Sequence, residues 1–150
     1  MRLEASGLSV DLPAGWEGEI GRGGELTTQG LSRRPTVAHF ANFPLPAVRA
    51  DFGAEAVATM KSGDVFIALF EYGPESAGKP LFAAQGVPRI QASDFDRNAL
   101  QSGLPGQSGL QRFFTVGGRP FCLYVVVGNH IDRADVVAEV NQVLDSLRTT

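Results

Sequence analysis

Few residues in this chain could carry chemistry, and His130 with Asp132 is the first pair to consider. A histidine tuned by a carboxylate two residues away could act as a general base. The same residues also suit structural roles, because Asp132 fits a helix N-cap and His130 fits a surface turn. An active site would need His130 to meet Ser108 or Cys122 in one cleft. We expect the structural roles, and no catalytic residue is predicted.

The single cysteine and the other histidine also favour structural roles. Cys122 has apolar neighbours, which supply neither a base nor a positive charge to activate the thiol, so a buried apolar role is expected. His39 alternates with Val37 and Ala41, as a residue of a strand would. Two histidines and one cysteine far apart do not have the spacing of a zinc site, and no metal or other cofactor is expected.

Two further patterns resemble parts of binding sites. Residues 103–109, Gly-Leu-Pro-Gly-Gln-Ser-Gly, imitate a phosphate-binding loop, but a proline interrupts them and no Gly-Lys-Ser/Thr follows. Ser108 lacks the Gly-x-Ser-x-Gly elbow of a hydrolase nucleophile. Arg33 and Arg34 could grip a carboxylate or a phosphate through paired guanidinium groups, although such a pair is more often part of a solvated loop.

Apolar residues in a long irregular stretch supply the main binding hypothesis. Residues 73–109 are rich in proline and glycine, and a connection of this length is typically functional or mobile. Its apolar residues Phe82, Phe95 and Leu100 must either fold back, as core or as a lid, or line a surface that binds a ligand or a partner.

Hydrophobic alternation predicts the elements of the first half of the chain. A hairpin is predicted over residues 8–21, and a strand over residues 36–43, which ends at the prolines that follow. From Asp51, a plausible N-cap, the apolar period becomes helical. A short amphipathic helix is therefore predicted near residues 51–62.

The second half contains two strands that lack a polar face. Val65–Phe70 and Phe121–Val127 are apolar at consecutive positions, as expected of strands covered on both sides. Gly117-Gly118 lies between residues 110–116 and residues 119–127, and this two-residue spacing predicts a tight hairpin. A last helix is predicted from Asp132, with one apolar stripe that covers a face of the sheet.

These elements predict one α+β domain over residues 1–150. Its mainly antiparallel β-sheet carries the C-terminal helix on one face, a shorter helix near residues 51–62 and a long irregular segment at 73–109. Inner strands that are apolar on both sides need two covers. The second cover is the short helix, the long segment or a partner protein.

The composition excludes several classes of protein. With 150 residues, 43% hydrophobic and 19% charged, the chain is typical of a globular domain rather than a disordered one. The net charge of −3 and the scattered basic residues argue against a nucleic-acid partner. The longest apolar run, residues 120–127, is too short for membrane insertion, and the N-terminus lacks the apolar core of a secretory signal, so a cytoplasmic location is expected.

Residues 7–16, Gly-Leu-Ser-Val-Asp-Leu-Pro-Ala-Gly-Trp, resemble the strand-Pro-x-Gly-Trp entry of the PsbP-like group of small α+β domains. The order of elements is similar as well: a hairpin, a sheet, a late inner hairpin and a terminal helix. The resemblance implies a scaffold that mostly binds proteins or assists larger assemblies and has no fixed catalytic set. It carries over no functional residue, and the segment 73–109 departs from that plan.

Two functional hypotheses follow. The first is a non-enzymatic protein-interaction or accessory domain that docks on a larger protein assembly through residues 82–100, with a homo-oligomer as an open alternative for the partner. The second is a small-molecule-binding domain in which the 73–109 segment closes as a lid over a pocket formed by Tyr124, Phe113 and Phe66.

Overall fold

Ten strands and two α-helices occur in the computed structural model, which describes residues 1–28, 30–100 and 104–150. The strands are β1 (Arg2–Ala5), β2 (Leu8–Asp11), β3 (Glu17–Arg22), β4 (Leu26–Thr28), β5 (Leu31–Arg33), β6 (Thr36–Ala41), β7 (Val65–Glu71), β8 (Ser108–Val116), β9 (Arg119–Val127) and β10 (Arg148–Thr149). The helices are α1 (Ala54–Val57) and α2 (Arg133–Ser146). In the described part of the chain, no helix is long and apolar enough to cross a membrane.

The main sheet has five strands in the order β3-β6-β7-β9-β8, and every neighbouring pair is antiparallel. Every residue of Val65–Phe70 and Phe121–Val127 is buried. This confirms the prediction of two inner strands that are covered on both faces. The α+β class and the mainly antiparallel sheet are confirmed with it.

The hairpin between β8 and β9 turns at Gly117 and Gly118. Their φ angles are 58° and 74°, so both residues lie in the left-handed region that a two-residue type I′ turn requires. Val116 pairs with Arg119 directly beside the turn. The predicted hairpin is confirmed, because glycine adopts these angles without the steric cost of a Cβ atom.

Helix α2 and a second sheet cover the first face of the main sheet, which carries Ile67, Leu69, Leu123 and Val125. The second sheet has three strands in the order β1-β2-β10. The predicted apolar stripe of α2 is buried against this face, and its members are Val136, Val140, Val143, Leu144 and Leu147. Helix and small sheet together close this side of the core.

The predicted hairpin over residues 8–21 is wrong. β2 pairs with β1 and β10, whereas β3 pairs with β6, so the two strands belong to different sheets. The turn between them carries the chain from one sheet to the other, with Trp16 N donating to Pro13 O at 3.2 Å. Both strands alternate apolar and polar residues, and that pattern does not specify which strand is the partner.

Residues 42–62 cover the second face, which carries Phe66, Ala68, Tyr124 and Val126. The helix predicted near residues 51–62 is wrong in extent, because α1 has only four residues. Gly53 precedes it with a φ of 73°, and a Cβ at this position would lie 2.2 Å from the ring of Phe66. The segment therefore lies too close to the sheet for a longer helix to begin at Asp51.

At the start of α2, the carboxylate of Asp132 has a different hydrogen-bond partner from the predicted one. Asp132 occupies the N-cap position, but its side chain makes no capping hydrogen bond. Its carboxylate instead accepts from Gly63 N at 2.9 Å. Asp132 thus connects the start of α2 to Gly63, which directly follows the residues that cover the second face. His130 lies in a short 3₁₀ turn just before the helix.

The long segment at 73–109 is irregular over most of its described length, with short 3₁₀ turns at Pro74–Ser76, Pro80–Phe82 and Ala92–Asp94. Hydrogen bonds hold this segment to strand β8 and to helix α2. Thr115 N of β8 donates to Ala84 O at 2.8 Å. Asn141 of α2 donates to Ile90 O at 2.8 Å and accepts from Ile90 N at 2.9 Å. These hydrogen bonds and the buried side chains of Phe82, Ile90 and Phe95 anchor the described part of this segment to the core.

Replacing Leu144 by alanine tests the packing of α2. Leu144 is buried, so Leu144→Ala should lower the free energy of unfolding by about 2–5 kcal/mol through lost burial and a residual cavity. Chemical denaturation followed by circular dichroism measures this loss. The control Ile131→Ala removes a side chain that is 76% exposed and should change stability by less than about 0.5 kcal/mol. Equal effects of the two variants would contradict this arrangement of α2.

Candidate functional site

Strands β4 and β5 stand apart from both larger sheets. In the described structure they pair only with each other. Leu26 lies opposite Arg33, and Thr27 lies opposite Ser32. A two-stranded hairpin on its own is at best marginally stable in water. The arm, meaning β4 and β5, therefore depends on the groups that hold its base.

One face of the arm is apolar and exposed. Side chains of opposite residues, and of residues two apart along a strand, share a face, so Leu26, Leu31 and Arg33 lie together. Leu26 is 38% exposed and Leu31 is 77% exposed. The other face is polar, with Thr27 Oγ1 and Ser32 Oγ 3.1 Å apart. The arm thus presents an apolar surface beside a guanidinium group.

Hydrogen bonds at Gly23 and Gly24 hold the base of the arm. Gly23 N donates to Pro35 O at 2.7 Å, and Arg34 Nε donates to Gly23 O at 2.9 Å. Gly24 N donates to the two carboxylate oxygens of Asp51, at 3.1 and 3.2 Å. A Cβ at Gly23 would lie 2.8 Å from Asp51 Oδ1, so this close approach requires glycine.

A buried histidine binds the same aspartate through its backbone. His39 lies on β6, and its Nε2 is 2.7 Å from Asp51 O. Arg49 Nε is 2.8 Å from His39 Nδ1. A carbonyl oxygen only accepts and a guanidinium only donates, so Nε2 carries the hydrogen and Nδ1 accepts. These two contacts fix His39 as a neutral imidazole. We call His39, Arg49 and Asp51 the latch.

The surroundings of the latch disfavour a charged histidine. Burial lowers the pKa of His39 below its usual value, and repulsion from Arg49 adds to the effect. The hydrogen bond to Asp51 O and the charges of Glu19 and Asp51 act in the opposite direction but are outweighed. Arg49 is fixed further by Glu19 and by Pro46 O, to which its guanidinium donates.

Most residues proposed from the sequence as a binding surface belong to the interior. Phe82, Phe95 and Tyr124 are buried, and Leu100 is partly buried against the second-face cluster. Phe82 packs edge-on against Phe113, with ring centroids 5.7 Å apart. As packed here, these side chains close the core, and residues 82–100 do not expose them to a partner.

The paired arginines do not act together. The Arg34 guanidinium is engaged by the backbone carbonyls of Gly23 and Arg22, at 2.9 and 3.4 Å. Arg33 lies instead on the arm, opposite Leu26. The structure therefore separates the pair into one residue that holds the base of the arm and one that lies on its apolar face.

The candidate catalytic groups converge only in part. His130 Nδ1 lies 2.8 Å from Ser108 Oγ, but Ser108 is fully buried. Cys122 projects from the second face, in a cluster with Val37 and Phe70, and burial raises the pKa of its thiol to about 12. Neither the Ser108 hydroxyl nor the Cys122 thiol is therefore exposed to a substrate as a nucleophile. Cys122 takes the buried apolar role expected from its sequence.

The glycine pattern of residues 103–109 does not form an open cradle in its described part. Gly109 exchanges two backbone hydrogen bonds with Asp96, at 2.8 and 3.0 Å, and Gly106 O accepts from His130 N at 2.7 Å. Gly103 lies outside the described residues. Within residues 1–28, 30–100 and 104–150, no group of three or more His, Cys, Asp or Glu side chains could hold a metal ion.

Comparison of the chain with protein-family models, with curated proteins and with solved structures gives no match. The resemblance of residues 7–16 to the PsbP-like group stays a prediction. The function of the chain is therefore inferred from the geometry of the arm and the latch.

Neither the arm nor the latch is predicted from the sequence, although the arm has a local sequence signal. Leu26-Thr-Thr precedes Gly30, which has a φ of 78°, and Leu31-Ser-Arg follows it, as expected of a short hairpin. Asp51 was assigned to a helix cap instead. Its side-chain partner, Gly24, lies 27 residues earlier in the chain, and no local pattern identifies such a contact.

The two arginines allow a matched test of the base of the arm. Arg34→Ala removes hydrogen bonds to Gly23 O and Arg22 O, so amide hydrogen exchange in residues 24–33 should accelerate by about tenfold, the effect of one lost hydrogen bond of ~1 kcal/mol or slightly more. Arg33→Ala leaves these bonds in place and should have little effect. Exchange followed by mass spectrometry measures both variants, and equal acceleration would contradict the assigned role of Arg34.

Proposed function

We propose that this protein is a non-enzymatic interaction domain that docks on another protein through the apolar face of the arm. The observation that carries the proposal is the exposure of Leu26 and Leu31 on a hairpin whose strands, in the described structure, pair with neither larger sheet. A partner that buries these side chains would remove apolar surface from water and would supply the support that an isolated hairpin lacks.

The charge around the arm indicates the chemistry of the partner. Residues 22–34 contain three arginines, Arg22, Arg33 and Arg34, against one acidic residue, Glu25, in a chain of net charge −3. Arg33 shares a face with the leucines. The complementary surface is therefore an apolar recess with carboxylates at its rim, which would pair with Arg33 as Leu31 enters.

Other exposed apolar side chains supply controls rather than a rival surface. Leu81 is 59% exposed and Ile131 is 76% exposed. Leu81 lies in a 3₁₀ turn of the long segment, and Ile131 lies in the turn before α2. Single exposed apolar residues are normal on a soluble domain. The arm differs because two leucines and an arginine share one face.

The test compares the proteins that purify with tagged variants of the full chain. Leu26→Ser with Leu31→Ser should abolish the recovery of one protein that copurifies stoichiometrically with the wild type. Binding reconstituted from the two purified proteins should weaken by about 10- to 100-fold for each leucine that becomes buried. Arg33→Glu should also weaken binding, and the loss should diminish at high salt because salt screens the charge.

The matched control is the double variant Leu81→Ser with Ile131→Ser, which should bind as the wild type does. A partner that is lost with the control and retained with the arm variant would contradict docking through the arm. A wild-type chain that self-associates in sedimentation experiments, and becomes monomeric only with the arm variant, would identify a second copy as the occupant and would replace the proposed partner.

A second candidate function is the binding of a small molecule on the second face. Three partly buried aromatic side chains favour it, namely Phe52, Tyr72 and Phe113. Tyr72 and Phe113 both contact Phe82 of the long segment, with ring centroids 5.1 and 5.7 Å apart. A planar apolar ligand would have to displace Phe82, which gives the segment the role of a lid.

Thermal unfolding in the presence of small aromatic compounds tests this second candidate. A compound at 100 times its Kd should add about 2.7 kcal/mol to the stability and raise Tm accordingly. Phe82→Ala should strengthen the binding, because the ligand no longer has to displace the ring. A compound series that leaves Tm unchanged in both proteins would count against the second candidate and leave docking through the arm.

A further inference from the structure

The latch connects a buried titratable group to the base of the arm through one residue. Asp51 O faces His39 Nε2 at 2.7 Å. The Asp51 carboxylate accepts from Gly24 N at 3.1 and 3.2 Å. The Asp51 backbone therefore lies against the second face of the sheet, while its side chain fixes the first residue of the chain that enters the arm.

A second proton on His39 is incompatible with this arrangement. The proton would come from solvent and bond to Nδ1, where Arg49 Nε now donates at 2.8 Å. Two N–H groups would then point at each other, and two positive charges would be in contact. The guanidinium has no acceptor and stays protonated in proteins, so it cannot adapt. Arg49 or the imidazole has to move.

The other groups around His39 do not prevent this conflict. From β3, Glu19 lies directly opposite His39 and contacts Arg49, but its side chain is 68% exposed and its attraction is screened by water. The Asp51 carboxylate is engaged by Gly24, and Glu55 of α1 accepts from Ala50 N at 2.9 Å. From β7, the apolar ring of Phe66 packs 5.2 Å from the imidazole.

We propose that protonation of His39 drives the imidazole away from Arg49, breaks its hydrogen bond to Asp51 O and so loosens the hold of Asp51 on Gly24 at the base of the arm. The Arg49 guanidinium is held by Glu19 and Pro46 O, and the Arg49 side chain is only 7% exposed, so the ring moves and the guanidinium stays. The latch would then regulate the docking element, a consequence that rests on the proposed function. In neutral solution Asp51 holds Gly24, and in mildly acidic solution Gly24 is freed while Gly23 keeps its hydrogen bonds to Pro35 and Arg34.

The direction of the pH effect follows from linkage. The folded, latched state holds His39 neutral with its pKa below the usual value, whereas the released state leaves it near about 6.5. Release therefore takes up a proton. The released population is lowest above about pH 6.5 and rises as the pH falls, by up to about tenfold for each pH unit until the lower pKa of the latched state is reached.

Amide hydrogen exchange of the full chain tests the proposal without a partner. Exchange rates in residues 24–28 and 43–53, corrected for the intrinsic effect of pH, should rise by about tenfold between about pH 7.5 and about pH 5.5. Residues of the β8–β9 hairpin should not respond. His39→Gln should abolish the pH response, because a carboxamide can accept from Arg49 and donate to Asp51 O without titrating.

The matched control is His130→Gln, which removes the other histidine and should keep the response. A second measurement uses the wild type alone, so it does not depend on the folding of a variant. In NMR titrations the His39 ring and the Gly24 amide should change with one common midpoint. The proposal is overturned if the Gly24 amide signal does not change with pH, or if its midpoint matches that of carboxylates and not that of His39. It is also overturned if the pH response of hydrogen exchange persists in His39→Gln.

The proposal of docking through the arm and the proposal of the latch can be disproved separately. If the arm variants leave partner binding unchanged while the exchange response depends on His39, the latch stands and docking through the arm is wrong. If the arm variants abolish binding while exchange is the same at both pH values, docking stands and the latch is wrong.

Discussion

The burial of β7 and β9 on both faces is the constraint on which the rest of the structure depends. Their side chains alternate between two faces and are apolar on each, so the chain has to supply two covers. Helix α2 and the three-stranded sheet cover one face, and residues 42–62 cover the other. The second cover brings Arg49 and Asp51 against β6, and this placement creates the latch and fixes the base of the arm.

The elements that could be predicted from the sequence are those whose signal is local. The run Val65–Phe70 and the glycine pair at 117 and 118 identify an inner strand and a hairpin without reference to the rest of the chain. The stripe of α2 likewise follows from its own period. In each case the hydrophobic pattern and the allowed backbone angles act on neighbouring residues, and the tertiary structure agrees with them.

The features that could not be predicted depend on contacts between distant residues. β2 and β3 show the same alternation, and only the folded chain shows that they belong to different sheets. Gly53, with its left-handed φ and its close approach to Phe66, keeps α1 from beginning at Asp51, which no local propensity indicates. Asp51 and Arg49 matter for the candidate site through Gly24 and His39, and an aspartate before an apolar stretch gives no sign of such partners.

The small sheet has a consequence for synthesis of the protein. Its central strand, β2, is made early, but one of its two neighbours is β10, at residues 148–149. While the ribosome is still producing the chain, β2 has an open edge and its apolar side chains lack the roof formed by α2. Until residues 148–149 are made, this edge of β2 can pair with the edge of another chain, so the small sheet is closed only by the last strand of the fold.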